Sequence, residues 1–257
     1  MLTEEEKRYK CPKNHSFDKA KEGYVNLILQ GGSHGDDKNM IKARRDFLDK
    51  GYYSGFALAI CKALQSVIKD SDTLLDCGCG EGYYTEKFHS VIPDSSELYA
   101  IDISKFALKY AGKRLKNHSD KLAVATAYNL PFEDESINVI TSIFSPFARE
   151  EFLRVMTKGA YLILGIADEN HLFELKCAVY DNPYKNEVAD FNIEGFEFIE
   201  EISAKEQLNI ACADDIKNLF EMTPYAHKTS PADIKKLDDL SELTVSADFK
   251  VLIYRKK

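Results

Sequence analysis

A chain of 257 residues with a formal net charge of −8, 44% hydrophobic and 30% charged residues can bury a full core and reads as globular rather than fibrous or membrane-embedded. No apolar run approaches the roughly 18 residues that cross a bilayer. The first residues, Met1-Leu2-Thr3-Glu4-Glu5-Glu6, lack the basic and apolar regions of a signal peptide, so a cytoplasmic protein with no membrane partner is expected. The six cysteines, at 11, 61, 77, 79, 177 and 212, are scattered, which fits reduced thiols better than a disulfide framework.

Residues 1–32 hold Cys11-Pro12-Lys13-Asn14-His15, a Cys and a His four apart that could supply two ligands of a tetrahedral zinc site. A second pair is missing, so the residues by themselves favour a turn without metal. The same segment is basic, with Lys7, Arg8, Lys10, Lys13, Lys19 and Lys21 against Asp18; Lys105 to Lys121 is a second basic run against Asp120. Such runs are either solvated faces or local positive potential for a phosphate backbone. Residues 30–39, rich in glycine and aspartate, read as a linker. Helical periodicity follows over 40–50 and over 56–68, where Phe56, Ile60, Leu64, Val67 and Ile68 share one side.

The chain is organised around residues 74–85, Leu-Leu-Asp-Cys-Gly-Cys-Gly-Glu-Gly-Tyr-Tyr-Thr, a strand, a tight turn and a helix start. Glycines at 78, 80 and 82 remove the Cβ atoms that would hold backbone away from a ligand, and a helix start leaves free N–H groups facing it. A dinucleotide site would place its third glycine one position later, where Tyr83 stands. Asp76, at the strand end, would repel a pyrophosphate and suits the cationic amino end of a methionine-derived ligand. Asp102 ends the next strand about twenty residues past the turn, where a ribose diol would sit. Acid, glycine turn and second acid together point to S-adenosylmethionine. Cys77 and Cys79 alternate without a partner pair and read as small buried side chains.

Beyond the turn, strands are predicted at 98–102, 122–125, 137–143 and 160–166, with a Lys-rich helix after the second, a helix over 149–156 and a turn at Lys158-Gly159. Segments 196–202 and 249–254 complete an antiparallel edge. The expected architecture is α/β, a mostly parallel seven-stranded sheet covered on both faces with its ligand crevice at the carboxyl ends of the strands, which with the glycine turn resembles the Rossmann-like class I methyltransferases.

Several further segments carry a closer likeness: Cys11 to His15; Phe17-Asp18-Lys19-Ala20-Lys21-Glu22-Gly23-Tyr24-Val25-Asn26-Leu27; Ala43-Arg44-Arg45-Asp46-Phe47-Leu48-Asp49-Lys50-Gly51-Tyr52-Tyr53; Cys79 to Thr85; His171 to Lys176; and Met222 to Ala226. Together these make the chain resemble, over nearly its whole length, the bacterial 23S ribosomal RNA guanine-N1 methyltransferases. The resemblance implies cofactor contacts at Tyr53, Gly80, Glu81 and His171, beside Asp76, Gly78, Gly82 and Asp102 from the motif itself. It implies a guanine in a hairpin loop of 23S ribosomal RNA as substrate, a homodimer, and an N-terminal module over 1–32, like a truncated zinc ribbon, that clamps RNA ahead of a methyltransferase domain over 40–257. Lys13, Lys19 and Lys21 become candidate RNA contacts. The family's Cys-x-x-Cys pair ahead of Cys11 has no counterpart here, which leaves zinc at Cys11 and His15 in doubt.

Methyl transfer to guanine N1 needs an in-line approach and an acceptor for the N1 proton. Glu150, Glu151 and Asp168 fall near the expected sheet edge, with nothing to distinguish them. Phe144 and Phe147, flanking Ser145-Pro146, are either a stacking platform for a splayed base or packing beneath the crevice. Two other readings compete: a methyltransferase for a small molecule, which the net charge suits, and a binding protein that has lost transfer.

Overall fold

The computed structural model describes residues 3–5, 8–11, 14–28, 35–118, 120–188 and 191–257. The first three strands, β1 (Thr3–Glu5), β2 (Arg8–Lys10) and β3 (Ser16–Asp18), form a small antiparallel sheet of their own. Two-residue β4 (Val25–Asn26) leaves it and runs parallel to a strand of the main sheet. The chain gets there through a turn at Gly23, whose N–H donates to the Ala20 carbonyl at 2.9 Å, after which Tyr24 and Val25 are buried.

Asp37 caps α1 (Lys38–Leu48), its carboxylate accepting from the N–H groups of Asn39 and Met40 at 2.7 and 2.9 Å. The helix therefore begins inside the segment expected to be linker. Helix α2 (Ser54–Val67) buries Phe56, Ile60, Leu64 and Val67 as its periodicity predicts. Strand and helix then alternate: β5 (Thr73–Cys77), α3 (Tyr83–Phe88), β6 (Glu97–Asp102), α4 (Lys105–Arg114), β7 (Lys121–Val124), β8 (Ile137–Ile143), α5 (Arg149–Val155), β9 (Met156–Ala167) and α6 (Phe173–Val179). The expected turn at Lys158-Gly159 is absorbed into β9, where Gly159 takes φ +76° and the pairing with β8 slips between Ile137 and Val139.

The chain closes with a long hairpin, β10 (Phe196–Ile210) and β11 (Leu243–Lys256), carrying α7 (Ala213–Glu221) and the short α8 (Pro231–Ile234) in its connection. Both strands outrun the predicted edge segments because their pairing continues to Ile210↔Leu243. Outward charges such as Glu197, Glu200 and Glu201 protect the exposed edge. The sheet has the order β10-β11-β9-β8-β5-β6-β7-β4. Seven of these strands are those read from the sequence and the eighth is β4, too short to register as an apolar run. From β9 to β4 all neighbours are parallel, and the order reverses beside β5, so the crevice opens at the ends of β5, β6 and β8.

One apolar cluster packs α2, α3, α4, α6 and α7 on one face of the sheet, and a second packs Phe152 and Val155 of α5 on the other. Helix α4 meets the β3–β4 connection so closely that a Cβ on Gly112 would run into the Glu22 carbonyl oxygen. In a helix, glycine to alanine ordinarily gains about 1 kcal/mol; against immovable backbone, overpacking costs about 1–3 kcal/mol. Gly112→Ala is therefore expected to lower stability in urea denaturation, and a gain of stability would contradict this packing.

Candidate active site

After Cys77 the chain turns through Gly78 at φ +85°, where a Cβ would collide with the Ser145 side chain. The turn is clipped to the end of β6: the N–H groups of Gly78 and Cys79 donate to the Ile101 carbonyl at 2.8 and 2.9 Å. The Gly80 N–H donates to Asp102 Oδ2 at 2.9 Å, and the other carboxylate oxygen accepts from the Ser104 N–H at 2.7 Å. Around Gly80 the nearest atom to a would-be Cβ is Arg44 Nη1 at 3.7 Å, so bare backbone faces the space above.

That space is a cavity of about 600 Å³ at the carboxyl ends of the strands. Its floor is the glycine turn with Glu81 and Asp102; α1 contributes Met40 and Arg44; Tyr53, His171 and the Thr223-Pro224-Tyr225 turn form the opposite wall. Arg44 pairs with Asp36 at 2.6 Å. With Asp36, Glu81 and Asp102 against one guanidinium, the lining is acidic on balance and favours a cationic guest. Burial raises the pKa of both Glu81 and Asp102, opposed at Glu81 mainly by Arg44 and at Asp102 by its two backbone donors.

Two buried polar atoms of the wall have no hydrogen-bond partner among the described residues: the Tyr53 hydroxyl and His171 Nδ1. Burial lowers the His171 pKa to about 3, so its ring is neutral at physiological pH. It packs on Phe249 at 4.4 Å between ring centroids. Phe144, at φ +51° and 51% exposed, stands at the cavity mouth. Phe147 instead packs against Phe152 and Phe196 on the other face of the sheet. The two aromatics are thus divided, one half-exposed at the cavity with its ring 5.4 Å from that of Phe56, and one packed on the other face of the sheet.

Comparison with known proteins bears on this geometry. Residues 74–160 match a family described as "Methyltransferase domain", and residues 1–29 match one described as "RlmA, N-terminal", a zinc ribbon. A protein of Micromonospora griseorubida named as a 23S rRNA (guanine-N(1)-)-methyltransferase is 30% identical over 96% of this chain and 90% of its own length. The 23S rRNA (guanine(748)-N(1))-methyltransferase of Streptomyces fradiae is 27% identical over 68% of this chain and 62% of its own. The chain belongs to the 23S rRNA guanine-N1 methyltransferase family. Among solved structures, a Bacillus halodurans C-125 protein described as a methyltransferase superposes with a TM-score of 0.51 at 16% identity, covering 77% of this chain and 98% of its own, which speaks to the fold.

The enzyme is an S-adenosylmethionine-dependent methyltransferase, and its cavity fits that cofactor on its own terms. The volume accommodates a nucleoside with an amino-acid tail. The Tyr53 hydroxyl and His171 Nδ1 offer hydrogen bonds that nothing among the described residues uses, and a buried polar atom left unpaired costs about 1–3 kcal/mol. Of the site residues read from the sequence, Tyr53, Gly78, Gly80, Glu81, Asp102 and His171 line the cavity together. Gly82, at φ +84°, starts α3 behind it. Nothing local in the sequence marks Arg44, Asp36 or the Thr223 turn as site residues; only the family motifs containing Arg44 and Thr223 signal them.

Glu151 is held by Arg154 and the Leu130 N–H, and Asp168 by Lys205 and Lys250; neither they nor Glu150 line the cavity. Cys11 and His15 close a tight turn, the Cys11 N–H donating to the His15 carbonyl at 3.0 Å, while Lys13 lies outside the described residues. Two donors are half a zinc set, and among the described residues no group of three or more His, Cys, Asp or Glu is placed to hold a metal. Among the described residues, Cys11 and His15 alone do not make up a tetrahedral zinc set.

Asp76 sits beneath the floor rather than on it. Buried to 2% exposure, its oxygens accept from the hydroxyls of Thr85 at 2.6 Å and Thr141 at 3.0 Å, joining β5 to α3 and β8. Burial, opposed by these two donors, raises its pKa to about 6. The folded state thus holds this proton more tightly than the unfolded chain does. Its contribution to stability is full below pH about 4 and is lost as pH rises to about 6. Asp76→Asn, which can still bond both threonines, is expected to exceed the parent by about 1–3 kcal/mol at pH 7.5 and to match it near pH 4. Urea denaturation at the two pH values checks this, and a difference independent of pH would contradict it.

Proposed function

We propose that the enzyme methylates N1 of a guanine in a hairpin loop of 23S ribosomal RNA. The observation that carries this reading is the half-exposed Phe144 at the mouth of the cavity, an open aromatic face beside the glycine turn on which a loop base can stack without extraction from a duplex. The names of the relatives support the same acceptor. In this reading Asp102 accepts from the ribose hydroxyls, Tyr53, Gly80, Glu81 and His171 contact the rest of the cofactor, and Asp76 acts through the turn it supports. S-adenosylmethionine, when bound, supplies a methyl group on a positively charged sulfur.

The protein's own work is then positional and electrostatic: Glu150, Glu151 and Asp168 do not line the cavity, so the N1 proton displaced by the incoming methyl group leaves to solvent at the mouth. The acidic lining favours the sulfonium, and Phe144 orients the base for in-line approach. A neutral His171 can exchange hydrogen bonds without storing a proton. The module over 1–32 would hold RNA through Lys13, Lys19 and Lys21, of which Lys19 lies 4.9 Å over the Tyr9 ring and Lys21 is exposed. A cytoplasmic homodimer is the working form that belongs to this reading.

Mapping N1-methylguanine in 23S ribosomal RNA from cells with and without the gene tests the acceptor: one site should disappear with the gene, and an unchanged map removes the RNA reading in favour of a small-molecule acceptor. For the cofactor, Asp102→Ala is expected to weaken S-adenosylmethionine binding by about 1–3 kcal/mol, since it removes a ribose partner and releases the Gly80 N–H. Calorimetry giving the parent's affinity would contradict the ribose role.

A further inference from the structure

The outer face of α1 and α4 has an organisation that the cavity does not explain. Helix α4 buries Ala107, Leu108 and Ala111 against the sheet and turns Lys105, Phe106, Lys109 and Lys113 outward, followed by exposed Lys116. Residues four apart stack along a helix, so Lys105, Lys109 and Lys113 form one row. Phe106 and Tyr110 form a second row beside it.

Cations from both helices cap these rings. Lys38 Nζ lies 4.6 Å from the centroid of Phe106, which is 45% exposed; Arg45 lies 4.7 Å and Lys113 5.8 Å from that of Tyr110. Between the helices, Arg45, Asp49, Tyr110, Lys113 and Arg114 line a second, open groove of about 370 Å³.

The acids of this face are already engaged. Asp46 pairs with Lys42 and Arg45, Asp49 and Glu86 pair with Arg114, and Glu22 lies 4.0 Å from Lys109. Lys38, Lys105, Lys113 and Lys116 have no ion pair among the described residues. On a chain of net charge −8, cations interleaved with open rings make this face a local concentration of positive charge. The face also joins the cavity directly. Met40 and Arg44 of α1 line the cavity while Lys38, Lys42 and Arg45 lie outside it, and α4 starts just after Ile103 on the rim.

We propose that this α1–α4 face is an RNA-docking surface, on which lysines neutralise backbone phosphates and Phe106 and Tyr110 stack with unpaired bases of the strand leading to the cavity. The assignment rests on the RNA reading above and adds a second surface to the one expected of the N-terminal module. Rings under cations suit nucleotides, whose bases stack on aromatic faces while the backbone meets the charge. An acidic peptide would use the charge and leave the ring row idle.

The test is the triple variant Lys105→Glu, Lys113→Glu, Lys116→Glu, together with Phe106→Ala, assayed by filter binding to in-vitro-transcribed 23S ribosomal RNA across a salt series. All four positions are exposed, so the thermal midpoint and S-adenosylmethionine affinity should equal the parent's. The triple variant should bind RNA at least tenfold more weakly, with a salt slope flatter by about 2, as each lost phosphate contact removes about 0.7–0.9. Phe106→Ala should weaken binding several-fold with the slope unchanged.

A parent that methylates 23S ribosomal RNA, with a triple variant matching it in affinity and slope, overturns the surface and leaves the functional reading standing. A parent that does not bind the RNA overturns both. Binding of the parent to phosphatidylserine vesicles that the triple variant loses, while its RNA affinity is intact, assigns the face to anionic membranes and overturns the proposal.

Discussion

The Ile101 carbonyl and the Asp102 carboxylate, at the end of β6, take the N–H groups of Gly78, Cys79 and Gly80 from the turn after β5. The glycine-turn side of the site follows from this clip. Buried backbone N–H groups must find acceptors, and in a turn too tight for internal pairing the neighbouring strand supplies them. The bond from Gly80 to a carboxylate is charge-assisted and therefore among the stronger ones available. It fixes the position of Glu81 and the start of α3 relative to the rim from which α4 begins. Asp102 is thus at once a scaffold for the turn and a group of the cavity lining, and its raised pKa reflects the cost of keeping a carboxylate dry for both.

The two acids flanking the glycines show where the sequence is legible and where it stops. Both stand at strand ends, and the spacing rule treats them alike. The difference lies in their neighbours: Thr85 and Thr141 come from α3 and β8 to enclose Asp76, whereas Asp102 accepts its hydrogen bonds from backbone and stays in the cavity lining. No pattern local to residue 76 announces that enclosure. Phe144 and Phe147 repeat the lesson, since the positive φ at Phe144 turns one ring to the mouth while the other drops into the α5 core.

Elements with a strong apolar period, α2 and the parallel strands, were readable nearly to their ends. Strand β4, the far halves of β10 and β11, and α7 were not. Their burial is decided by what packs on them: β4 by the edge of β7, and the far hairpin by α2 and α7. The Arg44–Asp36 pair was hidden for a related reason. A guanidinium on α1 enters the cavity only because that helix crosses the ends of the strands, and the charge pattern of α1 reads equally well as a solvated face.

The wall opposite the glycine turn is organised by a charge of the other sign. Lys176 on α6 is 2% exposed and has no carboxylate partner among the described residues; its ammonium donates to the Tyr184 carbonyl at 3.1 Å and to Asn186 Oδ1 at 2.7 Å, beneath the rings of Tyr184 and Tyr225. Asn186 in turn donates to the carbonyls of Asp168 and His171, both at 3.0 Å. One buried cation therefore joins the turn that carries His171, the loop around residue 186 and, from much further along the chain, the turn that carries Tyr225. Burial lowers its pKa, and two oxygen acceptors and two aromatic faces are what keep it solvated in place of water. The cavity is thus held between a carboxylate that gathers backbone N–H groups on one side and an ammonium that gathers carbonyls and rings on the other, and the rings of Tyr84, Phe56, Phe249 and His171 join the two sides through the core.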